Sequence, residues 1–211
     1  MCGRYELVDG KRIFVRFPVS NKTPVLPDNT DIRPTQQVLV LQADHVLSLM
    51  RWGLIPAWAK DPSVGTKMIN ARAEGIAEKP SFKRPLRFQR CILPASGFFE
   101  WQGAPGAKTK YRIARKDGEL FGFAGLYDNW TSPAGERLST CTIITTTPNR
   151  VLAPIHNRMP VILMPEDEEE WLNPDVSEPE ELVRMLTPYP NELLEATAMT
   201  AAPATTYRTR S

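Results

Sequence analysis

The 211-residue chain is poor in the features that most quickly place a sequence. It has no apolar run of about 18 residues, the length a membrane-spanning helix needs. Its start, MCGRYELVDGKR, carries Glu6 and no apolar core, which argues against a secretory signal and points to a cytoplasmic protein. Its cysteines are three, Cys2, Cys91 and Cys141, with no CxxC spacing. An odd, scattered set argues against a disulfide framework and against a thiolate zinc site, so no metal is expected. Neither GxGxxG nor GxxxxGKS occurs, and strands do not alternate with helices, which weighs against a nucleotide-binding fold. There is no internal repeat. What the chain does have is 20 prolines and 12 glycines, which predict many turns and few long helices. Hydrophobic residues at 42% and aromatics at 9% suffice for a packed core.

The net charge of +2 hides an asymmetry. Residues 1–165 hold 23 Lys and Arg against 13 Asp and Glu, whereas residues 166–211 hold 3 against 11. Lys79, Lys83, Arg84, Arg87 and Arg90 follow one another without an acid between them. Arginines outnumber lysines 17 to 9, and the planar guanidinium fork suits phosphate oxygens. A basic main body fits a polyanionic partner; an ordinary solvated basic face is the alternative.

Apolar runs bounded by turn residues predict strands at Val38–Gln42, Val46–Trp52, Lys67–Arg72, Arg90–Leu93, Gly97–Trp101, Tyr111–Arg115, Leu120–Leu126 and Leu138–Thr147. Ala43-Asp44 and Lys116-Asp117-Gly118 are turns. Helices are expected at Asp9–Phe17, Pro165–Leu172 and Glu178–Leu186, with a further turn from Asn191 through Ala196. The ending ATAMTAAPATTYRTRS reads as a flexible tail over 196–211, leaving one domain over 1–195. The expected class is α+β, a mostly antiparallel, barrel-like β-sheet with short peripheral helices.

Several residues carry chemistry. Cys2 follows an initiator Met that its small side chain allows an aminopeptidase to remove. The product has an α-amine and a thiol on neighbouring carbons, with reference pKa values of about 8 and about 8.5. An aldehyde condenses with the amine to a Schiff base. The thiol then closes a five-membered thiazolidine in an intramolecular step. A position that merely tolerates a small residue is the plain alternative. Gly3 permits close approach of another chain and Arg4 suits a phosphate. In Arg51-Trp-Gly-Leu-Ile-Pro-Ala-Trp58, Trp52 reads as core and Trp58 as a loop residue that stacks on a base or packs at the surface.

Asn70, Arg72 and Glu74 share one face of an extended strand, lining a groove or an exposed edge. Glu100 is a lone acid in an apolar strand, a general acid/base or half of a buried ion pair. His156, between Pro154 and Pro160, is a proton shuttle near neutral pH or a structural histidine, and Arg158 beside it suits phosphate. His45 reads as solvent-facing at a turn, and Cys91 and Cys141 as core.

Together these segments closely resemble the SRAP (SOS response-associated peptidase) proteins, also called abasic-site processing proteins. The matching pieces are MCGRY, DIRPTQ at 31–36, RWGLIPxW at 51–58, INARAE at 69–74, KPSF at 79–82, RCILPAxGFFEW at 90–101 and IHNRMP at 155–160. They run in family order over about residues 1–190. The resemblance implies a mostly antiparallel barrel-like fold. It implies binding of single-stranded DNA in a positive groove and capture of abasic sites as a thiazolidine crosslink in the DNA-damage (SOS) response. By the same carry-over Cys2 is the nucleophile, and Asn70, Glu100 and His156 are its active-site companions. Glu100 is assigned proton transfer and positioning of the opened sugar. His156 is assigned protonation of the sugar oxygen or reversal, and Asn70 orientation. Arg4, Arg72 and Arg158 match phosphate contacts, Trp58 a base-stacking loop and Thr145 a groove position. No cofactor is implied, and a monomer is expected. The peptidase in the family name corresponds to a proposed self-removal of Met1, which processing by an aminopeptidase explains equally well. Three features depart from the family pattern: Asp31 in place of Asn, Ser96 in place of Asp, and the C-terminal segment.

Two other classes compete. A cysteine peptidase or amidohydrolase uses the Cys2 thiol with His156 as base and tolerates a blocked amine. A non-covalent single-strand binding module forms no adduct and is indifferent to Cys2→Ser.

Overall fold

A computed structural model describes residues 2–21 and 27–199. In chain order these form β1 (Tyr5–Leu7), α1 (Ile13–Arg16), β2 (Asn29–Ile32), β3 (Gln37–Leu41), β4 (Leu47–Trp52), β5 (Asn70–Arg72), α2 (Pro80–Phe88), β6 (Arg90–Ala95), β7 (Gly97–Gln102), β8 (Thr109–Arg115), β9 (Phe121–Thr131), β10 (Arg137–Thr146), β11 (Met159–Pro160), α3 (Pro165–Leu172), α4 (Pro179–Val183) and β12 (Leu194–Met199). Strands β10, β4, β3, β6 and β9 are neighbours in that order, and β9 pairs back onto β10, closing a five-stranded barrel. The short strands β5 and β11 add to β10. A second sheet, β12-β8-β7-β1-β2, is antiparallel throughout. This is the α+β, barrel-like architecture expected, with short helices outside it. Two pairings are parallel, β10 with β4 and β10 with β5, because the chain returns to β10 from a distant hairpin.

Aromatic side chains join the two sheets. Tyr5 of β1 meets Trp52 and Phe123 edge-on at 5.4 and 5.7 Å between ring centres, and Phe98 of β7 meets Phe123 at 5.9 Å. Such edge contacts add about 1 kcal/mol each beyond area burial. Gly53 explains how the chain leaves β4. Its φ of +127° suits only glycine, and a Cβ there meets the Gly65 carbonyl oxygen at 2.6 Å.

Four expectations need correction. Lys79–Arg90, read only as a basic run, contains helix α2. Its prolines look like breakers, but Pro80 occupies the first turn, where the missing N–H costs nothing. Pro85 lies within the helix, buried beside Phe82 and Leu86, while Lys83 and Arg84 face solvent. The turn from Asn191 through Ala196 is a short 3-10 turn followed by β12. Asn191 accepts from the Arg150 amide at 2.7 Å, and Leu194–Met199 pair with β8 residue by residue. The tail expected from residue 196 is therefore strand as far as Met199, and residues 200–211 lie outside the described residues. His45, read as solvent-facing, is only partly so, with Nε2 at 3.7 Å from Glu169.

Candidate functional site

Cys2 lies fully buried just before β1. Asn70 Nδ2 donates to its backbone carbonyl at 2.9 Å. Asn70 is placed by two contacts of its own strand: Ile143 of β10 is its register partner, and the buried Trp52 indole donates to the carbonyl of Ile69 at 2.8 Å. Asn70 Oδ1 is buried with no partner among the described residues, an acceptor at the edge of the Cys2 cluster. Burial pushes the Cys2 thiol well above its ordinary pKa, and the nearby Glu100 carboxylate pushes the same way. In the chain that still carries Met1, the thiol is therefore protonated at neutral pH.

Glu100 sits in the middle of β7, almost wholly buried. Strand alternation puts it on the face of Phe98, toward Tyr5 and the barrel, rather than on the face of Phe99 and Trp101. Burial raises its pKa, as expected of a carboxyl in an apolar strand.

His156 comes from the segment between β10 and β11. That segment is held by Asn149, whose Oδ1 accepts from the amides of Val151 and Leu152 at 3.1 and 3.0 Å. Gln102, two residues beyond Glu100, donates to the Pro154 carbonyl at 2.7 Å and so binds the end of β7 to the histidine segment. Burial lowers the His156 pKa, and the neutral ring accepts at Nδ1 from the Arg158 amide at 3.0 Å. Sequence reading missed both Asn149 and Gln102. Gln102 carries a legible signal, since it repeats the Glu100 face two residues on.

The polar face of β5 continues from Asn70 to Arg72 and Glu74, while Ala71 and Ala73 are buried between them. Arg72 is exposed. Arg158 is not: it grips Glu74 through two bonds of 2.6 and 2.8 Å and donates to the Thr145 carbonyl at 2.6 Å. Thr145 is fully buried, its hydroxyl donating to Ala71 at 3.4 Å, so it supports Arg158 from beneath rather than opening onto a groove. Arg4 lies on the outer face of β1, 5.5 Å from the Trp101 ring and 3.3 Å from Asp31 Oδ1. Trp58 is 65% exposed. It lines a pocket of about 320 Å³ with Pro80, Ser81, Arg84 and Asp128, beside α2. No described hydrogen bond or ion pair joins it to the Cys2 group. Cys91 and Cys141 are buried core residues, as read.

The fold is that of a small β-rich protein, a closed five-stranded barrel with a buried Cys2 held by an asparagine near a buried carboxyl. A family model described as SOS response associated peptidase (SRAP) matches residues 1–203, and the chain belongs to that family. It is 46% identical over 203 residues to the abasic site processing protein YoqW of Bacillus subtilis, covering 93% of this chain and 91% of the relative. It is 36% identical over 180 residues to the abasic site processing protein HMCES of Rattus norvegicus, covering 71% of this chain and 51% of the relative. A crystal structure of a Bacteroides thetaiotaomicron protein superposes with a TM-score of 0.87 at 32% identity, over 94% of this chain and 92% of that one. A Bordetella bronchiseptica protein gives 0.79 at 26% identity, over 95% and 100%.

Proposed function

We propose that this protein binds single-stranded DNA and traps abasic sites covalently through Cys2 once Met1 has been removed. The observation that carries the reading is the hydrogen bond from Asn70 to the Cys2 carbonyl, which holds residue 2 beside the buried carboxyl of Glu100. The names of the relatives, abasic site processing proteins, supply the substrate class.

The chemistry follows from the groups present. The free Cys2 amine adds to the aldehyde carbon of the ring-opened deoxyribose and loses one water, giving a Schiff base. The thiol sulfur then bonds to the same carbon, the C=N π pair moves to nitrogen, and the thiol proton ends on that nitrogen. The product is a thiazolidine, and the overall reaction releases one water. With amine and thiol on neighbouring carbons of one residue, amine capture followed by ring closure is intramolecular, whereas a cysteine peptidase needs only the thiol. Glu100, its carboxyl pKa raised by burial, is suited to relay the proton between sulfur, nitrogen and sugar oxygen. Neutral His156 accepts or passes a proton as the crosslink forms or reverses. Asn70 orients the cysteine backbone, and its open Oδ1 accepts from the amine or the sugar. Arg4, Arg72 and Arg158, with Trp58, carry the phosphates and bases. The protein acts without cofactor, as a monomer in the cytoplasm.

Intact-mass spectrometry of Met1-free protein mixed with an abasic single-stranded oligonucleotide tests this. The expected species has the mass of protein plus DNA less one water, survives denaturation without borohydride, and is missing from Cys2→Ala. Processed protein that gives no adduct overturns the covalent reading.

A further inference from the structure

Glu74 stands outside the chemistry described so far, yet it controls an arginine assigned to phosphate. Its carboxylate meets both terminal nitrogens of Arg158, at 2.6 and 2.8 Å. The second of these nitrogens also donates to the Thr145 carbonyl. The Arg158 Nε is buried without a partner among the described residues. A guanidinium has five N–H donors, and only paired donors on one edge make a fork for phosphate. With Glu74 in place that edge is taken. The burial is unequal: the Arg158 side chain is 11% exposed and that of Glu74 is 54% exposed. The arginine is anchored, while the carboxylate has open solvent to swing into. Arg72, exposed on the same strand face two residues before Glu74, adds a second positive charge at the same edge.

We propose that Glu74 occupies the Arg158 fork in the free protein as an internal stand-in for phosphate, which DNA must displace, so that Glu74 sets the affinity of the binding step. The exchange swaps one anion for another, so it weakens binding without abolishing it. A loosely placed phosphate gains little from it, while one held in register by the rest of the site pays the exchange back. The inference rests on the DNA-binding reading above.

The test is fluorescence anisotropy with an abasic-free single-stranded oligonucleotide over a salt series. The proteins are wild type, Glu74→Gln, Glu78→Gln as a charge-matched control, Arg158→Ala, and the Glu74→Gln/Arg158→Ala double variant. Glu74→Gln is expected to bind about fivefold tighter than wild type, the scale of one exposed ion pair removed. Its salt slope is expected to match that of wild type, because the same phosphates are neutralised once Glu74 has been displaced, whereas Arg158→Ala is expected to flatten the slope by about 0.7. In the Arg158→Ala background the same change is expected to give no gain beyond that of Glu78→Gln. Equal behaviour of Glu74→Gln and Glu78→Gln, or weaker binding by Glu74→Gln, overturns the inference while leaving DNA binding intact. Absence of salt-dependent binding by the wild type overturns the DNA-binding reading, and the inference with it.

Discussion

Asn70 reaches across 68 residues of sequence to donate a hydrogen bond of 2.9 Å to the carbonyl of Cys2. That bond fixes the one residue whose amine and thiol both take part in the proposed reaction. Asn70→Ala is expected to slow crosslink formation about 100-fold, the cost of a misplaced reacting group. Affinity for abasic-free DNA should stay near that of wild type, because no phosphate-binding arginine is touched. A parallel loss of affinity and rate gives Asn70 a general structural role instead.

Glu100 gives a stability signature besides a kinetic one. Burial raises its folded pKa above the unfolded value, so the folded state holds the proton more tightly. Stability from this group is complete below the unfolded carboxyl pKa of about 4.3 and is lost as pH rises through the raised folded value. Glu100→Gln keeps the shape and removes the ionisation. Its melting temperature should exceed that of wild type at pH 8 and match it at pH 4, while crosslinking slows. No pH-dependent difference in thermal melts rules out a buried, reluctant acid.

His156 has the opposite sign. Its folded pKa lies below the ordinary histidine value, chiefly through burial. The folded state therefore binds the proton less well, and stability is lost as pH falls below about 6.5. His156→Gln should flatten that acid limb in a series of melts from pH 8 to pH 5. A limb of unchanged depth assigns the acid sensitivity to other groups.

Arg90 tests the frame rather than the chemistry. It is buried and donates to the carbonyls of Leu86 and Arg87 at the end of α2, and of Trp171 and Asn173 at the end of α3. Burial lowers its pKa to about 10, so it stays charged at neutral pH, where it faces the negative ends of two helices. Arg90→Met leaves four carbonyls without this donor and should cost about 4 kcal/mol in urea unfolding. A loss under 1 kcal/mol shows that water replaces the guanidinium.

Arg72 is exposed, in contrast to Arg158. Arg72→Ala should weaken DNA binding and flatten the salt slope by about 0.7. An unaltered slope places Arg72 away from the phosphates.

Much of this protein can be read along the chain. Period-two alternation gave most strands to within a few residues, and α3 runs over Pro165–Leu172 as its acidic first turn predicts. The lone acid of β7 is buried with a raised pKa, as its apolar neighbours imply. The failures have local causes. Proline signals concealed α2, whose first proline takes a position that needs no N–H. The small residues of Leu194–Met199 carry weak propensity of their own, and pairing with β8 makes them a strand.

Sequence by itself determined the parts: alternating strands, and motifs specific enough to give the family. Those depend on residues near one another in the chain, where propensity, turn chemistry and side-chain type act directly. Tertiary structure alone decided how the parts meet. Asn70 on the Cys2 carbonyl, Gln102 on the His156 segment and Glu74 in the Arg158 fork each join residues between 52 and 84 positions apart. Such contacts form only after the barrel closes and buries its apolar faces, because only then do their hydrogen bonds repay the entropy of bringing distant segments together.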